Sequence, residues 1–596
     1  MKNKFLGRVC CFTAVFYILL RVPLAVYPQD TDIKFTLDVS SNTTSLPRIL
    51  SPHIDLSGRG YHSDASWPQQ MASPEALDRW ESEIGFSGMY RLQFNLWELS
   101  QLEKEAGAPE KLLENYEAAM RRINDAGGVV ILDIFSTPPG LGAVLDRKSP
   151  PLDLKKFKAV IKKYIRRFSC EKRYTVWYEV WSAPDLDDFF LGRKQEYLNL
   201  YRVVAESVME LREETKIHIP VGGPSSSFWF QNFDGNTVVT PEQSLVYELI
   251  RFCYHRKLPL DFITWHAYST DPKIERDTTR YNKSVADLIR DWLSYFSFDR
   301  STPLIVDEWN YDSGANVLPE RRESAHITAS YIFSRIRNMY EAGIDNQLFF
   351  SLEDFQNNKE GVVRNVGVFR IGGETGAPAG GPKVFYNAFR MMALLGKELF
   401  SLPKTDDEFV GLIGTKTNTG YAVVLYNYID PDIFRNAVSR GISTLNPAER
   451  KALIGIITSD TFGKIKNKEK DIASLRVSNK MKALLTRGQK LEDGARKMRG
   501  IPRNVKIDFK NLKDTYVYRK YVIDAGCEAD CPFVPAEEKT LQVADAHEES
   551  LALSPHSVVM LIFERKPPEA GEQGVKPSAA VEQQAEASKP AVEETP

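Results

Sequence analysis

Between about residues 48 and 398 the chain alternates short apolar runs with longer amphipathic segments. The runs are residues 49–56, 88–94 (GMYRLQF), 128–135 (GVVILDIF), 175–181 (TVWYEVW), 218–224 (HIPVGGP), 261–268 (DFITWHAY), 303–309 (PLIVDEW) and 347–354 (QLFFSLED). Each has the length of a strand. Helix-length segments at 74–83, 109–126, 153–169, 194–214, 242–256 and 319–342 lie between them. Strand then helix, repeated eight times, predicts an α/β fold: a closed (β/α)8 TIM barrel over residues 48–398. The region's length, about 350 residues, is within the span of such barrels. An open doubly wound sheet is the alternative, but it normally carries a Gly-rich phosphate loop after its first strand, and none is present.

The pattern then changes. Residues 408–427 (FVGLIGTKTNTGYAVVLYNY) read as a hairpin turning at Asn418-Thr419-Gly420. Residues 504–523 and 551–564 are again short alternating strands. With the extended segment 32–40, these pieces predict a β-sandwich assembled from 32–47, 400–430 and 500–566. Residues 431–499 are helical in pattern and rich in Lys and Arg, an insertion into that sandwich. Its basic face reads as a solvated surface or as a docking surface for an anionic polymer. The tail 567–596 is Pro, Ala, Glu and Gln with almost no large apolar residue, and is expected to be disordered.

The N-terminus carries a targeting pattern. Lys2, Lys4 and Arg8 precede the apolar run Val9 to Leu20. Residues 1–28 read as a signal peptide or an N-terminal anchor, so the protein is expected to be exported, with a membrane tether as one option. Cys10 and Cys11 lie in that segment. Cys170 and Cys253 are isolated, and buried thiols are expected. Cys527 and Cys531, four apart, suit a local disulfide in an oxidising compartment. No Cys/His spacing offers a metal site, and no cofactor is implied. The net charge of −2 gives no bulk field for nucleic acid, and the 11% aromatic content suits a sugar-binding protein, although most rings belong to the core.

Catalytic groups of such barrels stand at the C-terminal ends of the strands. A retaining glycosidase needs two carboxylates there, about 5–5.5 Å apart. Glu308 ends the seventh strand in VDEWNY, where an acid after a buried run is costly unless it is paired or used. Trp309 beside it offers a candidate sugar-stacking face. By period-two alternation Asp307 points to the other side of the strand.

The fourth strand and its sequel, YEVWSAPDL followed by DDFFLGRKQEYLNLY, resemble glycoside hydrolase family 39, the family of β-xylosidases and α-L-iduronidases. VGGPSSSFW, DFITWHAYS, PLIVDEWNY and GVFRIGGETGAPAGGPKVFYNAFRMMALLG are similar to further ordered segments of that family. The resemblance covers roughly residues 48–430 and 500–565. It implies a barrel followed by a sandwich, a retaining mechanism, an oligosaccharide or polysaccharide partner, and Glu308 as nucleophile. It also implies that His266 and Tyr268 line the substrate site and that Trp181 lies under the sugar. Arg91 would support the nucleophile and hold its pKa low.

One departure bears on function. The family's Asn-Glu pair, which contacts the sugar 2-hydroxyl and supplies the general acid/base, falls on Ser182-Ala183. Glu179 matches a different family residue inside the strand. Asp185, Asp187 and Asp188 in the following loop, with Asp133 and Asp354 at other strand ends, are substitute candidates. Two readings follow: a glycoside hydrolase acting weakly through Glu308, or a non-catalytic glycan-binding pseudoenzyme of a polysaccharide assembly system. A third, an interaction protein using the basic insertion, has no feature of its own in favour.

Overall fold

The computed structural model describes residues 32–58, 67–102, 107–230, 240–276, 283–311, 325–357, 362–371, 381–405, 407–527 and 531–566. The expected signal peptide or anchor at 1–28 and the expected disordered tail at 567–596 lie outside these residues. No helix among the described residues is long and apolar enough to cross a membrane.

Two strands open the chain, β1 (Ile33–Asp38) and β2 (Thr43–Ser45). The barrel follows: β3 (Ile54–Asp55), β4 (Met89–Asn95), β5 (Val129–Phe135), β6 (Val176–Val180), β7 (Val221–Ser226), β8 (Phe262–His266), β9 (Leu304–Trp309) and β10 (Asn346–Phe349). They pair in sequence order, all parallel, and β10 closes onto β3. The first strand is shorter than its apolar run, because Pro52 has no N–H for a sheet ladder. Surrounding helices begin where the sequence supplies caps. Ser73 accepts from the Ala76 N–H ahead of α1 (Pro74–Glu83), and Asp153 and Ser244 do the same for helices 154–165 and 245–256.

Inside the barrel, Met89, Ile131, Phe262, Ile305 and Leu348 form an apolar floor. Two residues further along the same strands the interior becomes polar, with Arg91, Asp133 and Asp307 fully buried. The parallel register shifts at the tips of β8 and β9, and again between β9 and β10.

A short antiparallel pair, β11 (Phe355–Asn357) and β12 (Val362–Arg364), follows the barrel strands. The second unit is a two-layer sandwich. Its seven-stranded sheet runs β18 (Glu537–Val543), β17 (Asp514–Ile523), β20 (Val558–Arg565), β15 (Gly420–Asn427), β14 (Val410–Lys416), β13 (Glu398–Phe400), β2. The three-stranded sheet is β1, β16 (Arg503–Lys510) and β19 (Ala546–Leu553), with β1 parallel to β16. Alternate residues Phe35, Leu37, Val505 and Ile507 of one layer share a core with Leu412, Val423 and Leu561 of the other.

Between β15 and β16 stands a helical lobe built from helices 433–441, 447–457, 460–466 and 479–498. It has its own core around Phe434, Val438, Leu453, Ile465 and Leu485. Cys527 and Cys531 form a disulfide; Cys170 is half-buried and Cys253 buried, both free thiols.

Candidate active site

Arg91, inside the barrel on β4, is the hub of the polar layer. Its Nε donates to Glu179 at 2.6 Å, and Nη1 donates to both Asp55 at 2.9 Å and Glu308 at 2.7 Å. Nη2 lies 3.2 Å from Asp133. Four strands thus deliver four carboxyl groups to one guanidinium. Asp307 completes the cluster. Its Oδ2 accepts from Ser225 Oγ at 2.5 Å and lies 3.8 Å from His266 Nε2.

Strict strand alternation does not hold at this tip. Asp307 was expected to face away from Glu308, yet both contact the same imidazole, since His266 Nδ1 lies 3.4 Å from Glu308 Oε2. The register shift between β8 and β9 turns consecutive residues to one side.

Five buried acids around one buried cation cannot all ionise. Burial pushes Asp133 and Asp307 well above the usual carboxylate range, with Glu179 adding to both, while Arg91 opposes. Asp55 is pushed up to about 6 by burial, against the pull of Arg91. Glu179 Oε1 and Asp307 Oδ1 are buried without a hydrogen-bond donor. A proton on Asp307 facing Glu179 satisfies both. Burial and the Arg91 charge hold His266 down to about 3, so its ring is neutral at physiological pH.

Glu308 stands apart from the other four acids. It is 8% exposed, whereas Asp55, Asp133, Glu179 and Asp307 are sealed. Oε1 accepts from Arg91 and, at 3.4 Å, from Ser182 Oγ; Oε2 accepts from the Tyr268 hydroxyl at 2.8 Å. Both oxygens are held by donors, and the carboxyl lies at the C-terminal mouth of the barrel. Contrary to the expected low pKa, burial raises it. Arg91 and Tyr268 pull it back only in part, because Glu179 repels.

The strand-four tip lies beside this carboxyl. Ser182 touches it, and the next residue, Ala183, is buried with its N–H donated to Ser225 O. No side-chain proton donor stands at 183. Asp185, three residues from Ser182, has both oxygens engaged by the N–H and hydroxyl of Ser227. Asp187 and Asp188 are exposed on the same loop, and neither is hydrogen-bonded to Glu308. Asp354 is paired with Lys383 at 2.6 Å, away from this cluster. Asp133 belongs to the cluster but is fully buried.

Two expected sugar platforms are core residues. Trp181 adopts φ +68°, which turns its indole back between Phe135 and Phe190, where Nε1 donates to Phe189 O. Trp309 packs on Tyr331 and Phe349 and donates to Gln347 at 2.6 Å. Both are completely buried. Aromatic surface beside Glu308 comes instead from half-buried Phe350, whose ring meets Tyr268 and stacks on Phe355. Sequence reasoning missed this pair, along with Asp55 and Ser225.

A hollow of about 460 Å³ elsewhere, lined by Tyr254, Lys257, Phe296 and neighbours, sits at the ends of helices 245–256 and 285–295. Its lining includes no carboxylate. Among the described residues, no group of His, Cys, Asp and Glu has the arrangement of a metal site.

Residues 149–431 match the model of the family described as glycosyl hydrolases family 39. A β-xylosidase of Geobacillus stearothermophilus is 26% identical over 298 residues, 47% of this chain and 53% of that protein. The chain therefore spans about half the length of that relative. Among solved structures, a family 39 enzyme of Xanthomonas axonopodis pv. citri superposes with a TM-score of 0.60 at 15% identity, covering 91% of this chain and 100% of the other. A glucosidase of Croceicoccus marinus gives 0.59 at 14%, over 91% and 100%. At those identities the two structures establish the shared fold.

Proposed function

We propose, from the match of residues 149–431 to the glycosyl hydrolases family 39, that the protein cleaves a glycan by a retaining mechanism with Glu308 as nucleophile. The supporting observation is the state of that carboxyl. It is reachable at the barrel mouth, it is oriented by donors on both oxygens, and it is the one member of the acid cluster open to a ligand. Its Oε attacks the anomeric carbon, and the electron pair of the broken C–O bond departs with the leaving oxygen. Water then displaces the Glu308 ester, releasing its proton to solvent. Arg91 and Tyr268 take up the negative charge that returns to Glu308 in this second step.

In this mechanism the first step proceeds without a protein acid, a reading supported by Ala183 and by the engagement of Asp185 with Ser227. General acid catalysis contributes roughly 10²–10⁴-fold, so glycosides whose leaving group is stable as an anion are the favoured substrates. The β-xylosidase relative makes β-xylosides the first class to try. The experiment compares dinitrophenyl and alkyl β-glycosides. The dinitrophenyl substrate should turn over and the alkyl one barely, and Glu308→Gln should abolish both. Equal activity in Glu308→Gln would sink the mechanism.

A second reading, a glycan-binding protein without turnover, is favoured by the same Ser182-Ala183 pair. Calorimetry against a polysaccharide panel, alongside product analysis, separates the two. Binding with no cleavage of even the dinitrophenyl substrates would establish it.

A further inference from the structure

We infer that the helical lobe is a docking surface for an acidic polysaccharide. The inference rests on the glycan-directed reading above and adds the substrate's charge. Residues 431–499 contain sixteen Lys and Arg against seven Asp and Glu, in a chain whose net charge is −2. The lobe therefore carries a surplus of nine positive charges while the rest of the molecule is acidic.

The lobe's own acids do not cancel that surplus at its surface. Glu492 is buried and serves Arg499 at 3.0 Å, with Lys466 and Arg496 at the edge of contact; Asp493 pairs with Lys468. The exposed cations Arg487, Lys490 and Lys497 of helix 479–498 have no acidic partner among the described residues. At 100° per residue these three project within one quarter-turn, a stripe spanning about 15 Å.

The lobe is also anchored at the catalytic face. Asn436 donates to Thr270 Oγ1 at 2.9 Å, and Arg440 pairs with Asp271 at 3.2 Å. Tyr428, just before the lobe, donates to Thr270 O at 2.7 Å. Thr270 and Asp271 follow Tyr268, the residue that holds Glu308, by two and three positions. These contacts fix the lobe on the loop that follows Tyr268.

Other polyanions fit less well. The segment contains two aromatic residues, Phe434 and Phe462, and both are in its core, so no ring is offered for stacking nucleic-acid bases. Ile454 is the sole large apolar residue exposed on the described lobe, which gives a lipid surface little to bury.

The test uses the full chain carrying Glu308→Gln, so that no probe is consumed. Binding of polygalacturonate and of neutral xylan is measured by calorimetry at low and at physiological salt. Polygalacturonate should bind, weaken with salt, and lose roughly tenfold or more in affinity with Arg487→Glu, Lys490→Glu and Lys497→Glu combined. The Gln versions of the same three positions should lose less, which separates charge from folding; thermal melting checks that each variant is folded. No polygalacturonate binding, or binding unchanged in folded charge-reversed protein, overturns the proposal. So does equal or tighter binding of double-stranded DNA or of phosphatidylglycerol vesicles. Turnover plays no part in the readout, so this inference and the hydrolase reading fail independently.

Discussion

Replacing Arg91 by Gln tests the electrostatic design of the barrel interior. Among the described residues, Arg91 is the one cation contacting Asp55, Asp133, Glu179 and Glu308, each at 3.2 Å or less, with the first three sealed from solvent. Removing one partner from a buried ion pair costs about 3–5 kcal/mol. At a few degrees per kcal/mol this corresponds to a fall on the order of 10 °C in the barrel's melting temperature. The loss should depend on pH, with a defined sign. Burial already holds Asp55 at about 6 and lifts Asp133 and Asp307 well above the usual carboxylate range, with Arg91 pulling all three down. Without Arg91 the folded-state pKa values rise further above those of the unfolded chain. The folded protein then binds more protons than the unfolded one, so stability is present at low pH and lost as pH rises. Melting curves of Arg91→Gln and the parent protein, taken from pH 5 to pH 8, should diverge toward pH 8. A variant within about 1 kcal/mol of the parent at pH 8, or a deficit that does not shrink toward pH 5, would refute the reasoning.

Tyr268→Phe removes a charge-assisted hydrogen bond at 2.8 Å from Glu308, a contribution of about 1.5–3 kcal/mol, so kcat/KM should fall roughly 10–100-fold and its acid limb should move to higher pH. Because Glu308 must be ionised and its pKa is raised, activity should be lost as pH falls through that value, with no falling limb on the alkaline side while residue 183 is Ala. Installing Ser182→Asn with Ala183→Glu should raise activity on alkyl glycosides and make the profile bell-shaped; a folded double variant with no gain on any glycoside would contradict the missing-acid account. Trp181→Ala should lower stability by about 3–5 kcal/mol in urea unfolding, as expected of a core indole, and wild-type stability would contradict its placement between Phe135 and Phe190.

The barrel was legible because its strands are buried on both faces and read as continuous apolar runs, separated by segments of helix length. The sandwich could be read from alternation, visible in β16 as RNVKIDFK with Val505, Ile507 and Phe509 turned inward. Reading failed where the backbone leaves its regular period. Asp307 and Glu308 share one side through a register shift that no alternation rule contains. Trp181 was misplaced because its left-handed φ reverses the expected direction of the side chain. Asp55 escaped notice because β3 has only two residues and gives no periodic signal. Glu308 itself stood out as an acid at the end of an apolar run, and Arg91 became notable only through the family resemblance.

The account depends on a covalent bond to one oxygen of Glu308. Incubation with dinitrophenyl 2-deoxy-2-fluoro-β-glycosides, β-xyloside first, supplies a leaving group that needs no acid and slows release of the enzyme-bound sugar. Peptide mass spectrometry should then find one fluoro-sugar on the peptide containing Glu308, and none in Glu308→Gln. Hydrolysis of the parent glycoside with no such adduct, or an adduct on another residue, would contradict the account.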